Sequence, residues 1–214
     1  MIKINNLQIT QGDFTLNEVN LEILPGEYAI LMGASGSGKT TIMEAICGLR
    51  DIQKGSIQIA KRDVTSLAPN LRRIGYVPQD NTLFPGMKIG DQIAFPQILK
   101  KIPAAQIRIN VDTLATQLNI NHILERLPEN LSGGEKQRAT IARSLAMEPE
   151  ALCFDEPLSA LDEDLHQELS ELLRSIVKER NLACLHITHS RREASAIADK
   201  TYRLDRGKIK LCDL

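Results

Sequence analysis

Gly33-Ala34-Ser35-Gly36-Ser37-Gly38-Lys39-Thr40-Thr41 decides how the rest of this chain is read. It fits G-x-x-x-x-G-K-[ST], the phosphate-binding loop. The glycines let the backbone take conformations that a Cβ forbids, so successive N–H groups turn inward around phosphate oxygens. Just upstream, Glu27-Tyr28-Ala29-Ile30-Leu31-Met32 reads as a short apolar strand, and just downstream Thr40 to Cys47 reads as a helix stopped at Gly48. Strand, loop, helix is the context the motif requires. The helix then aims its N-terminal dipole at a nucleotide, with Lys39 reaching the β- and γ-phosphates and the Thr40 hydroxyl ligating magnesium. A plain glycine-rich turn is the alternative, and the flanking strand and helix argue against it.

The bulk composition excludes several classes. With 214 residues, 43% hydrophobic and 25% charged, the chain has the makings of one sizeable soluble domain and not of a disordered segment. A formal net charge of −1 argues against a partner bound through phosphate electrostatics, so no nucleic acid is expected. The basic pairs Arg72-Arg73, Lys100-Lys101 and Arg191-Arg192 read as solvated surface. Cys47, Cys153, Cys184 and Cys212 lie far apart with no C-x-x-C spacing, and read as small buried hydrophobes in a reduced, cytoplasmic setting. There is no secretory signal after Met1 and no run of 18 apolar residues, so any membrane role is expected to come through a partner.

Along the chain, residues 1–23 alternate with period two: Ile2, Ile4, Leu7, Ile9, a Gly12-Asp13 turn, then Phe14, Leu16, Val19, Leu21 and Ile23. Together with Ser56-Ile57-Gln58-Ile59 these predict a small antiparallel sheet flanking the phosphate loop. Ile74 to Gln79 predicts a core strand, followed by a loop from Asp80 to Gly86. From residue 88 the pattern turns helical, with Ile107, Val111, Leu114 and Leu118 at helical spacing and Pro96, Pro103 and Pro128 as punctuation. Helix from about Gly134, strand Ala151 to Phe154, a long helix through Leu165 to Val177, strand Leu182 to Ile187 and a helix near Arg192 then alternate. Such alternation builds a mainly parallel sheet covered on both faces, here closed by a terminal hairpin around Gly207. The fold class is therefore α/β. One domain over 1–214 is expected, with 1–87 and 132–214 as core and antiparallel subdomain and 88–131 as a helical insertion.

Two further stretches carry chemistry. Ala151-Leu152-Cys153-Phe154 ends in Asp155-Glu156, which delivers two carboxylates at the C-terminal end of a strand, the edge where ligands bind in open α/β sheets. Asp155 is placed to hold magnesium, and Glu156 to orient or deprotonate an attacking water. An Asp-Glu pair alone is more often a solvated turn; the buried strand before it and the phosphate loop upstream reverse the odds. Leu131-Ser132-Gly133-Gly134-Glu135-Lys136-Gln137-Arg138 opens a helix with a hydroxyl and free amides, a second anion-facing start, and equally fits a capping box from Ser132 to Glu135.

The order of Gly33 to Thr41, Gln79 after a core strand, Leu131 to Arg138, Ala151 to Glu156, Ser159-Ala160-Leu161-Asp162 and Thr188-His189 resembles the ATP-binding subunit of ABC transporters along the whole chain. The resemblance implies a P-loop NTPase of ABC type with ATP and Mg2+ as cofactors. It implies a head-to-tail homodimer, or a pair with a homologous ATPase subunit, in which each ATP lies between one copy's phosphate loop and the other's Ser132-Gly133-Gly134. It further implies that Gln79 contacts magnesium or the attacking water, that Asp162 lies at the dimer seam, and that His189 contacts the γ-phosphate. Family members usually stack an aromatic residue on adenine, and an ungapped reading puts Thr10 there. Phe14 is the nearest aromatic and reads as an inward-facing strand residue.

The activity implied is ATP hydrolysis coupled to transport through polytopic permease subunits on the cytoplasmic face of a membrane. Leu83-Phe84-Pro85 after Gln79 and Leu127-Pro128 leading into Leu131 to Arg138 are similar to importer subunits that drive uptake of oxyanions, polyamines or sugars, which brings a substrate-binding protein in as a further expected partner. Many such relatives add a C-terminal regulatory domain, and regulation by one is not expected here. The rival readings are an exporter or lipid-extracting ATPase with the same motor and a soluble ABC-type protein outside transport. The second is disfavoured by the single phosphate loop and the near-neutral charge.

Overall fold

A computed structural model of the chain describes residues 1–12, 14–80, 82–159 and 163–212. A six-stranded sheet has the order β10-β9-β3-β8-β7-β6 and a four-stranded antiparallel sheet the order β2-β1-β4-β5. In the first, β3 (Tyr28–Gly33), β8 (Ala183–Ile187), β7 (Ala151–Asp155) and β6 (Ile74–Val77) run parallel. β9 (Lys200–Asp205) pairs parallel with β3, and β10 (Lys208–Cys212) closes the edge as an antiparallel hairpin.

The apolar runs of β3, β7 and β8 are buried on both faces, as a central parallel strand must be. Alternate residues feed two cores. Tyr28, Ile30, Leu152, Phe154 and Cys184 face a core shared with the helices that follow β6, whereas Ala29, Leu31, Cys153, Leu185 and Ile187 face α1 (Lys39–Cys47) and the antiparallel sheet. That second sheet is formed by β1 (Ile2–Gln11), β2 (Phe14–Ile23), β4 (Lys54–Ile59) and the two-residue β5 (Arg62–Asp63). Its inward set, Ile2, Ile4, Leu7, Ile9, Leu16, Val19, Leu21 and Ile23, is buried. Three-residue steps at Ile4 to Leu7 and Leu16 to Val19 need bulges to keep one face inward. Asn6 and Glu18, both with positive φ, lie in those steps, and the β1–β2 register shifts around Leu7.

Between β6 and β7 the chain is helical: α2 (Ile89–Leu99), α3 (Ala104–Gln117), two short 3₁₀ turns, and α4 (Gly133–Leu145). α5 (Glu163–Glu179) and α6 (Arg191–Ile197) complete the fold. α4 runs so close to β6 that a Cβ on Gly75 would meet Leu152 Cδ2 at 2.7 Å and the Ser144 carbonyl oxygen at 3.1 Å. The Arg138 guanidinium, also on α4, reaches the Leu118 carbonyl past the end of α3 and Glu168 on α5. Among the described residues no helix is long and apolar enough to cross a membrane.

Four expectations change. Pro96 does not punctuate α2 but lies inside it. A proline deletes one backbone donor, while Gln92 and Gln97 of the same helix are buried and hydrogen-bonded to its surroundings, and this tertiary packing overrides local propensity. The strand expected over Ile74 to Gln79 ends at Val77 and forms the sheet's edge. Cys212 is half-exposed on the edge strand, unlike the other three cysteines. Arg72 is 4% exposed and not surface at all. Its guanidinium donates to the carbonyls of Ala45 (2.7 Å) and Ile46 (2.9 Å) in the last turn of α1, and to those of Leu67 (2.8 Å) and Thr65 (2.9 Å). It thereby adds donors to the last-turn carbonyls of a buried helix end, beside the Gly48 N–H that also reaches Ala45, and places a cation at the negative pole. Arg72→Met keeps the stem but removes those donors. It is expected to lower the unfolding free energy by roughly 3 kcal/mol, read as a lower urea midpoint at unchanged m-value.

Candidate functional site

Four parallel strands deliver their chemistry at one sheet edge. β3 runs into the phosphate loop, β6 is followed by Gln79, β7 ends in Asp155 with Glu156 next, and β8 is followed by Thr188 and His189. Ser35, Gly36, Lys39, Thr40, Gln79, Asp155, Glu156 and His189 line one cavity of about 380 Å³. Eight expected site residues from four chain segments thus meet.

The loop is built by its glycines. Gly38, at φ 102°, is the N-cap of α1, and a Cβ there would lie 2.5 Å from Phe14 Cζ. No side chain caps α1 and its first turn holds no acidic residue, so the positive helix end faces the loop without a built-in anion. Lys39 Nζ donates to the carbonyls of Gly33 and Ala34, both at 3.0 Å. Ser37 Oγ is buried without a hydrogen-bond partner among the described residues, an orphan that an anion's oxygens or water would satisfy. Thr41 lines a neighbouring cavity of about 260 Å³ together with Gly36, Gly38 and Phe14. Phe14 therefore does not simply face the core: half-buried, it rests on Gly38 at the mouth of the loop. Thr10 is exposed on β1, its N–H bonded to Gln53 Oε1 at 2.8 Å.

Thr40 Oγ1 donates to Asp155 Oδ2 at 3.0 Å. Burial pushes the Asp155 carboxyl above its usual range and Glu156 adds to this, while the Thr40 hydrogen bond and the Lys39 ammonium only partly offset them. A hydroxyl, a carboxylate and, in the same cavity, the Gln79 amide are hard oxygen donors of the kind that suit Mg2+. Glu156 takes a left-handed backbone, φ 47°, fixed by its N–H bond to the Ile187 carbonyl (2.9 Å) and by Ser159 donating to its own carbonyl (3.0 Å from Oγ). Its Oε2 lies 3.5 Å from Nδ1 of His189, whose side chain is 70% exposed.

Ser132, Gly133 and Gly134 do not join this cavity. Ser132 is the N-cap of α4 in a full capping box: its Oγ accepts the Glu135 N–H (3.2 Å) and its own N–H donates to Glu135 Oε2 (2.8 Å). Ser132 and Gly133 are exposed, and a Cβ on Gly133 would meet nothing within 4 Å, so the helix start presents an open surface. Asp162, with Ala160 and Leu161, lies outside the described residues. Two side chains carried no sequence signal. Gln92 holds the 84–87 loop through bonds to the Phe84 N–H and to the Phe84 and Met87 carbonyls. Arg143, five ångströms above the Phe84 ring, donates to the Thr82 carbonyl at 2.6 Å.

A phosphate loop whose threonine faces a carboxylate at the C-terminal edge of a parallel sheet defines a P-loop nucleotide-binding protein. The pattern that defines the ABC transporter family matches residues 16–159, and the chain belongs to that family, as its ATP-binding domain. It is 38% identical over 209 residues to the molybdate/tungstate import ATP-binding protein WtpC of Pyrococcus horikoshii, covering 98% of this chain and 61% of that one. It is 38% identical over 210 residues to the sulfate/thiosulfate import ATP-binding protein CysA of Nocardia farcinica, covering 98% and 63%. The chain thus spans about six tenths of the length of these relatives. Among solved structures, the ATP-binding cassette MJ0796, in a dimeric post-hydrolysis state bound to ADP and Pi, superimposes with a TM-score of 0.87 at 28% identity. The match covers 98% of this chain and 97% of that one.

The raised Asp155 carboxyl has a consequence for stability. Because the folded chain disfavours its ionised form, Asp155 lowers stability above its titration, and the penalty fades as pH falls through the raised value toward the usual carboxylate range. Asp155→Asn, which keeps an acceptor for Thr40, is expected to raise the melting temperature of the nucleotide-free protein at pH 7. That gain is expected to shrink steadily on acidification, as followed by thermal melts at a series of pH values.

Proposed function

We propose that this chain is the energy-coupling ATPase of an ABC importer, closing head to tail with a second copy or a homologous subunit around two Mg-ATP. The observation that carries the proposal is the meeting of Lys39, Thr40, Gln79, Asp155, Glu156 and His189 around one cavity at the sheet edge. The names of the relatives, which are import ATP-binding proteins, and the dimeric state of MJ0796 support the transport and pairing parts of the reading. The working unit then sits on the cytoplasmic face of a membrane, docked to polytopic permease subunits and served by a substrate-binding protein. Residues 88–131 serve as a helical subdomain inserted between the core segments 1–87 and 132–214.

In this reading the loop from Gly33 to Thr41 wraps the triphosphate with backbone N–H groups, and the Lys39 ammonium balances charge on the β- and γ-phosphates. Thr40, Asp155 and Gln79 would hold Mg2+, which would supply positive charge against the negative charge that builds on the phosphate oxygens. Glu156 accepts a proton from the attacking water, and His189 donates a hydrogen bond to the γ-phosphate. The partner's Ser132, Gly133 and Gly134 complete the site from the opposite side.

Two variants test this. Glu156→Gln is expected to bind ATP with wild-type affinity, to accumulate as an ATP-bound dimer in size-exclusion chromatography, and to lose at least about a hundredfold in kcat. Near-normal hydrolysis removes Glu156 from the role. Ser132→Arg is expected to leave nucleotide binding to the monomer intact and to abolish ATP-dependent dimerisation; an undisturbed dimer contradicts the sandwich.

A further inference from the structure

We infer that Glu193 is a positioning residue for His189, acting through the 188–190 loop. The inference rests on the hydrolytic reading of the site and adds a residue which that reading does not use. Glu193 is 4% exposed, on α6, and its carboxylate receives two lines of contact. From the loop, Thr188 Oγ1 donates to Glu193 Oε2 at 2.6 Å, and the same oxygen of Thr188 accepts the Ser190 N–H at 3.1 Å. From the sheet, Nε2 of the fully buried His186 lies 3.0 Å from Glu193 Oε1, while its Nδ1 lies 2.8 Å from the Tyr28 hydroxyl. The Tyr28 hydroxyl is the hydrogen-bond partner of Nδ1, whereas the Nε2–Oε1 pair stands at ion-pair distance but outside hydrogen-bond geometry, so that neither atom has a hydrogen-bond partner among the described residues. Ser190 Oγ accepts the Glu193 N–H at 3.2 Å and so closes the loop back on the same residue.

Thr188 is therefore tied to the buried carboxylate directly, and Ser190 to the Glu193 backbone amide and to the Thr188 hydroxyl, while the His189 ring itself is largely exposed and has Glu156 at 3.5 Å as its ion-pair partner among the described residues. An exposed imidazole with one contact at 3.5 Å takes its direction from its backbone, and that backbone is held by Glu193. A carboxylate at this depth persists as an anion only where donors surround it. Burial pushes Glu193 up, yet His186, Thr188 and, at 3.7 Å, His166 together hold it below its usual range. The same carboxylate links the loop to Tyr28 on β3, the strand that runs into the phosphate loop.

The experiment uses the whole chain and the pair Thr188→Val and Thr188→Ser beside Glu193→Ala. Thr188→Val removes the hydroxyl at constant shape, and Thr188→Ser restores it. Thr188→Val and Glu193→Ala are expected to lower kcat for ATP at least about tenfold with KM within about twofold, and Thr188→Ser to keep the wild-type kcat. The Ser190 amide reports the same contact without turnover: its protection from hydrogen exchange is expected to fall about tenfold in Thr188→Val and to return in Thr188→Ser. Wild-type kcat and wild-type Ser190 protection in Thr188→Val overturn the inference, as does a Thr188→Ser variant no better than Thr188→Val. Hydrolysis that survives Glu156→Gln overturns the proposed reaction instead, so the two failures are distinguishable.

Discussion

Parallel pairing of β3, β8 and β7 in a fixed register is the constraint on which the site depends. Leu31 stands opposite Ile187, and Ile187 opposite Asp155, so one row across the sheet lies just below the chemistry. One or two residues beyond that row the chain supplies the phosphate loop, Thr188-His189 and Glu156. The register is held by burial on both sides, since Ala29, Leu31, Cys153, Leu185 and Ile187 belong to one core and Tyr28, Ile30, Leu152, Phe154 and Cys184 to the other. A slip of one residue would exchange the two sets and carry Asp155 away from Thr40. Packing energy thereby fixes the geometry of a polar site.

The polar groups near this edge fall into two kinds. Arg72 is a buried charge with four carbonyl partners and Glu193 one held by the Thr188 hydroxyl and the nearby His186 ring, and they join elements that packing alone would leave free to shift: α1 to the segment before β6, and α6 to the end of β8. Among the described residues Asp155 is buried with one side-chain hydrogen-bond donor, Thr40, and its desolvation is not fully offset by its neighbours. An unsupported charge among supported ones is a mark of a group kept for a ligand and not for the fold.

Much of the fold was legible from periodicity, because period two and period 3.6 arise from the backbone itself. The parallel core strands and three strands of the antiparallel sheet lie within a residue or two of their expected places, the two-residue β5 was not foreseen, and the phosphate loop, Gln79, Asp155, Glu156 and His189 meet in one cavity. What was hidden depends on pairs distant in the chain. Arg72 reads as half of a surface pair until the end of α1, more than twenty residues earlier, is brought over it. Pro96 reads as a helix end until α2 is seen held by its own buried glutamines. Phe14 reads as an ordinary inward strand residue, and only the absence of a Cβ at Gly38 lets its ring reach the loop. Glu193 looks like one more surface acid on a short helix; no local pattern reveals that His186 and Thr188 converge on it.

The capping box at Ser132 has a bearing on molecular association. The serine oxygen is engaged by the Glu135 amide and the Glu135 carboxylate by the Ser132 amide and by His122 at 3.1 Å, so this corner is rigid before anything docks on it. Ordering a loose polar side chain at an interface costs about 0.5–1.5 kcal/mol. Here that entropy is given up when the chain folds, and the hydroxyl hydrogen stays free to point outward. The oxygen's position is thus set by the fold itself, and only the rotation of its hydrogen is left open.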